Sequence, residues 1–200
     1  MLDVKKKFDV SYLTKTSVLS VLAFLIMYIE VPLWFAPPFL KVDFSDIPAL
    51  IGAFALGPIT GVFIELIKNI LHIFIKGTTT VGVGELANFI VGSVFVYTAS
   101  SIYHKNKSFK KAIIGLVSGT IAMTVVAAFA NYFFLLPFYA KFYGMPIEAF
   151  VEMGSKVNGF VSDVKTLVIF AITPFNIIKG IMISLVTIPL YKRLSPLLHK

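Results

Sequence analysis

Charged and amide side chains set in long apolar runs are where this chain could do chemistry, because each one is costly inside a membrane and needs a reason to be there. Glu65 and Lys68 stand three positions apart, a spacing that places both on one helical face, where they can pair. A structural ion pair pinning two helices is the plain reading. Asn69 and His72 continue the same polar stripe. His72 has no second ligand-type residue at metal spacing, so no metal site is expected.

A second group is Asn131, then Asn176 and Lys179 three apart on a later run, just after Pro174. Asn offers two donors and an acceptor, and Lys offers three donors. Together they could read a planar heteroaromatic ligand bearing carbonyls and ring nitrogens. Interhelical hydrogen bonding, worth around 1 kcal/mol per contact, fits the same residues. Gly82-Val83-Gly84-Glu85-Leu86-Ala87 matches the dinucleotide fingerprint formally, but it lacks the strand and βαβ unit the fingerprint requires. Its glycines instead suit a tight entry into a helix, with Glu85 and Asn88 one turn in. The sequence holds no phosphate-binding Walker loop, no H-E-x-x-H and no G-x-S-x-G, so no catalytic set is expected and an enzyme is not indicated.

The elements that must position these groups follow from composition. Of 200 residues, 58% are hydrophobic and only 14% charged, with a mean hydropathy of +0.89. Soluble domains run at about 45–50% apolar and about 25% charged. The reading is an all-α membrane protein, a single domain over residues 1–200. At about 20 residues per crossing, six spans fit: 16–35, 44–56, 59–75, 83–103, 112–136 and 167–190. The second and third form a hairpin broken at Gly57-Pro58; the second is short and must tilt, borrow loop residues or stop short of the surface. The longest connection, 137–166, is expected to leave the membrane and carry a short helix after Pro146. Trp34, Tyr97 and Tyr103 are expected among the lipid-facing or interfacial belt residues. Phe39, Phe138 and Tyr139 fall beside the polar groups.

The formal net charge of +8 could suggest nucleic acid, but its distribution argues against that partner. Lysines cluster at the N-terminus (Lys5, Lys6, Lys7, Lys15) and in one loop (Lys105, Lys107, Lys110, Lys111). Lys192, Arg193 and Lys200 follow at the C-terminus. This is the positive-inside pattern. Six spans then place both termini and the 104–111 loop in the cytoplasm, and the loops around Lys41, 77–81 and 137–166 outside.

Several stretches carry a resemblance. Pro38-Phe39-Leu40-Lys41-Val42-Asp43-Phe44-Ser45-Asp46-Ile47-Pro48, then Gly57-Pro58, Lys68-Asn69, Gly77-Thr78-Thr79-Thr80, Gly84-Glu85-Leu86-Ala87-Asn88-Phe89 and Pro174-Phe175-Asn176-Ile177-Ile178-Lys179-Gly180 resemble the riboflavin-specific S components. These are the membrane subunits that bind substrate for energy-coupling factor (ECF) vitamin importers. The similarity spans roughly residues 16–190. It implies a six-helix S-component fold in the cell membrane and one non-covalently bound riboflavin, as transported substrate rather than cofactor, near the outer face. It implies partners too: a transmembrane T subunit and two ATPase subunits.

By matching motif, Asn131, Asn176 and Lys179 would hydrogen-bond the isoalloxazine ring. Phe39, Leu40, Lys41, Val42 and Asp43 would cover the ligand and meet its ribityl chain, with Glu85 and Asn88 also in the site. Docking on the T subunit would use the first helix at Ser17, Ser20 and Val21; Val21 interrupts the small residues four apart that are usual there. The alternatives are an S component for another vitamin or a flavin nucleotide, or a non-transport membrane protein using a flavin.

Overall fold

The computed structural model describes residues 9–198; Lys5, Lys6, Lys7 and Lys200 lie outside the described residues. Helix α1, Val10–Met27, starts at Asp9, whose carboxylate accepts from Tyr12 N at 2.7 Å. It ends eight residues before the expected Phe35. Pro32 explains the stop: it lacks the N–H that would continue the helical ladder. Val31–Pro32 instead forms strand β1, paired antiparallel to β2, Lys41–Val42, with Val31 opposite Val42. The connection after α1 is thus a structured strap.

Helix α2, Asp46–Leu56, is buried from Asp46 to Ala55. At about 1.5 Å per residue it extends roughly 16 Å, about half the hydrocarbon thickness of a bilayer. Other helices pack against it on all sides. Gly57, at φ 119°, makes the turn that non-glycine residues resist, and Pro58 opens helix α3, Pro58–Leu71. A π-helical turn, His72–Lys76, extends α3. Helices α4, Val83–Lys105, and α5, Phe109–Ala130, follow. They approach closely through Gly115 and Gly119, where any Cβ would strike the Ala99 and Phe95 backbone of α4.

Helix α5 runs through a π-helical turn, Asn131–Leu135, into α6, Leu136–Tyr143. The fifth apolar helix therefore continues past the expected end at residue 136. The surface helix expected after Pro146 is α7, Ile147–Ser155. The last helix begins as α8, Val164–Leu167, passes through a third π-helical turn, Val168–Ile172, and continues as α9, Thr173–Leu198. Pro137 and Pro174 each lie just beyond such a turn, where the shifted ladder tolerates a missing donor.

Five helical segments are long and apolar enough to cross a membrane. The chain is a multi-pass membrane protein. Its main core joins Leu50 and Phe54 of α2 to Ile64, Phe95, Met123 and Ile183. Two expectations need correction here. Tyr103 faces neither lipid nor the interface: it is 9% exposed, with its hydroxyl 3.1 Å from that of Tyr191. Ser20 cannot present a docking surface: it is fully buried and donates to Thr16 O at 2.8 Å. Ser17 and Val21 are exposed, as are Val18 and Leu25. Trp34 and Tyr97 are exposed, as lipid-facing or belt residues would be.

Candidate functional site

At one end of the bundle lies a cavity of about 880 Å³. It sits where α1 and α3 finish, where α4 and α9 begin, and where α5 bends through its π-helical turn. The basic 104–111 loop is at the opposite ends of α4 and α5. The strap contributes Phe39, Leu40, Lys41 and Asp43 to the wall; the helices contribute Glu85, Asn88, Asn131, Asn176 and Lys179. Val42 is the exception. On β2 its side chain alternates away from Lys41 and is fully buried with Ala36 and Phe175, so it braces the strap and does not reach the cavity. Phe39 stacks edge-on to Phe150 of α7 at 5.7 Å, which holds the strap over the opening. Tyr139 also lines the cavity; Phe138 does not.

The amides are set to present acceptors. Asn176 Nδ2 donates to Ile172 O at 2.8 Å, and Asn131 Nδ2 donates to Ala127 O at 2.8 Å. Each bond fixes the amide through its nitrogen and leaves Oδ1 without a protein partner among the described residues. Asn88 is held differently, accepting from Asn69 Nδ2 at 3.3 Å. Glu85, buried at the start of α4, accepts from Thr78 Oγ1 at 2.9 Å and Thr80 Oγ1 at 3.3 Å. His72 Nδ1 lies 3.2 Å from its Oε1, a close approach without hydrogen-bond alignment. Among the described residues no cluster could hold a metal ion.

Beneath the cavity, buried charges tie the strap to α2, α3 and α9. Lys68 of α3 reaches Asp46 at 2.6 Å and Glu65 at 2.8 Å and donates to Ser45 Oγ at 2.8 Å. Lys179 of α9 reaches Asp43 at 3.2 Å and Asp46 at 3.4 Å. Ser45 also donates to Asp43 through its hydroxyl and its backbone N–H. Gly92 of α4 makes room for the Glu65 carboxylate, which any Cβ there would hit. Burial alone would raise the Asp43 carboxyl; Lys179, Lys68 and the Ser45 donors hold it well below the usual carboxylate range. The strap is thereby anchored by charge to α3 and α9.

The spacing of Glu65 and Lys68 exposed one pair of this network. The sequence reading missed its extension through Asp46 and Lys179, and it missed Thr78, Thr80 and His72 around Glu85. The Gly77–Thr80 and Lys68-Asn69 motifs were the available signal, but no periodicity links them to α4 or α9. Gly82 adopts φ 84° as the residue before α4, consistent with a helix entry rather than a dinucleotide fold.

Fold and site define a class: a multi-pass helical membrane protein with a strapped, amide-lined cavity at one end of its bundle. The chain matches the family model described as ECF transporter, substrate-specific component, over residues 11–191. It belongs to that family, one of transport proteins rather than enzymes. Among curated relatives it is 40% identical to the riboflavin transporter RibU of Staphylococcus aureus (strain TCH60), covering 92% of this chain and 90% of that protein. It is 37% identical to the riboflavin transporter FmnP of Bacillus subtilis (strain 168), covering 94% and 93%. A solved structure of the S component of a bacterial ECF transporter superposes with a TM-score of 0.74 at 39% identity. That match covers 94% of this chain and 98% of the other.

Proposed function

We propose that this chain is the riboflavin-binding S component of an ECF importer, one integral-membrane domain over residues 1–200. It crosses the cell membrane six times, with α2 as the short, enclosed crossing and both termini in the cytoplasm. The cavity carries this reading. Its volume of about 880 Å³ falls in the range of about 300–1,000 Å³ that encloses a small ligand. Asn131 and Asn176 hold free acceptors toward it for the ring, and the Phe39–Asp43 strap faces the ribityl side. The relatives named riboflavin transporters cover nearly the whole chain. The lysines of the 104–111 loop lie at the far end from the cavity, so positive-inside orientation turns the cavity outward.

The test is colour. Protein purified from a flavin-containing host should absorb as oxidised flavin, and chromatography of the released ligand should return riboflavin. A colourless protein that takes up no added riboflavin would defeat the proposal. Selectivity follows from charge. The lining sets Lys41, Lys76 and Lys179 against Glu30, Asp43 and Glu85, and Glu30 is held below its usual range, burial notwithstanding, by Lys41 and Lys76. The lining therefore has no excess positive charge to attract a phosphate. Riboflavin is expected to bind more tightly than its 5′-phosphate, and a competition titration giving equal affinities would contradict that.

Energy must come from outside the chain, which has no Walker loop. The partners are the T subunit, carrying two ATPase subunits, docked on the exposed face of α1. With Ser20 buried, Ser17 and Val21 are what remain of the expected docking set. Ser17→Trp is expected to leave riboflavin binding intact and to cut ATP-dependent uptake in the assembled complex sharply. Unchanged uptake would move the docking face off this part of α1.

A further inference from the structure

The opposite end of the bundle holds a second pocket, of about 300 Å³, between the ends of α2, α4 and α9 and the start of α5. Its depth is apolar, with Phe54, Ala112 and Ile188; Phe54 is 1% exposed. The paired hydroxyls of Tyr103 and Tyr191, 3.1 Å apart, border that depth. Its rim is cationic, from Lys107 and Lys192. Lys192 Nζ is held 5.0 Å over the Phe109 ring, and Phe109 itself is 55% exposed. No acidic residue occurs between Glu85 and Glu148, or after Asp163, so no carboxylate from the 104–111 loop or the end of α9 neutralises these lysines.

We propose that this pocket holds an anionic phospholipid, its phosphate between Lys107 and Lys192 and the upper part of one acyl chain on Phe54, Ala112 and Ile188. The combination decides the ligand class. A small free anion would satisfy the lysines but leave the apolar depth uncovered. A neutral lipid would cover the depth and leave the lysines unpaired. Basic pockets between membrane helices recognise anionic headgroups in this way. The pocket is formed by helix ends, where a chain lying along the bundle can turn its headgroup inward, and the exposed Phe109 ring beside it is an apolar anchor at the same level.

The experiment is lipid retention by native mass spectrometry, on the full chain in neutral detergent with phosphatidylglycerol or phosphatidylcholine added. Phosphatidylglycerol is expected to be retained in preference. Each rim lysine should contribute roughly fivefold in occupancy, so Lys107→Gln with Lys192→Gln should lower it roughly 25-fold. Lys110→Gln with Lys111→Gln, in the first turn of α5 but outside the pocket, should change it by less than about twofold. Monodisperse elution serves as the check on folding for both pairs.

Equal retention of the two lipids would overturn the proposal, as would an equal loss from the two lysine pairs, which would mean diffuse surface attraction. Complete displacement of retained phosphatidylglycerol by excess inorganic phosphate would make the pocket a phosphate site and overturn the lipid assignment. Unchanged lipid retention in the Lys107/Lys192 variant, with loss of assembly with the energising subunits, would give the pocket to a protein partner instead.

Discussion

Replacing Lys68 with Met is expected to destabilise the fold strongly, lowering its melting temperature well below that of wild type. The methionine keeps most of the lysine stem, so the change isolates the charge. In the native protein Lys68 Nζ lies 2.6 Å from Asp46 and 2.8 Å from Glu65, and Lys68 and Glu65 are fully buried. Without it, Glu65 loses its nearest cation, and Asp46 retains only Lys179 at 3.4 Å. Removing one partner of a buried pair costs about 3–5 kcal/mol, because the remaining charge is left uncompensated. That is a large share of the net stability of about 5–15 kcal/mol typical of folded proteins. The measurement is thermal unfolding in detergent. Adding Glu65→Gln to Lys68→Met should recover part of the loss, since the orphaned charge goes with it. A Lys68→Met protein that melts with wild type would show that the network contributes nothing to stability.

Much of the architecture was legible because apolar runs of membrane length are hard to mistake. The Gly57-Pro58 break, the surface helix after Pro146 and the general set of helices all follow from composition and punctuation. The errors have physical causes. The apolar run of the first span continues past Met27 into Ile29, Val31 and Leu33, so hydropathy alone does not mark where the helix yields to a strand pair. Helix α1 is apolar on both its core and lipid faces, with Leu19 buried and Val18 exposed; it lacks the amphipathic stripe that would reveal which serine points inward. Pro137 reads as a terminator until the π-helical turn before it is seen. The binding candidates stood out as amides and a lysine in apolar surroundings, but the partners of Lys179 did not. Asp43 lies 136 positions away in sequence, a distance no local pattern reaches.

That long-range bridge separates two variants that the sequence alone would treat alike. Asn176 and Lys179 share one face of α9, yet they perform different tasks. Asn176 holds Ile172 O through its nitrogen, which leaves its Oδ1 acceptor without a protein partner among the described residues. Asn176→Ala removes that acceptor without exposing a buried charge. On the proposed riboflavin reading, the ring donor it served is left unpaired, at about 1–3 kcal/mol, so affinity should fall roughly 5- to 150-fold with the melting temperature little changed. Lys179→Ala removes the cation 3.2 Å from Asp43 and 3.4 Å from Asp46, releasing the strap that covers the cavity. It should lower both the melting temperature of the ligand-free protein and the affinity, and it should speed riboflavin dissociation. Fluorescence titration and stopped-flow release read the affinity and rate; ligand-free melting reads the rest. If Lys179→Ala weakens binding and leaves melting and release unchanged, Lys179 contacts the ligand and the strap is held by other means. If Asn176→Ala binds riboflavin as tightly as wild type, its Oδ1 does not read the ring.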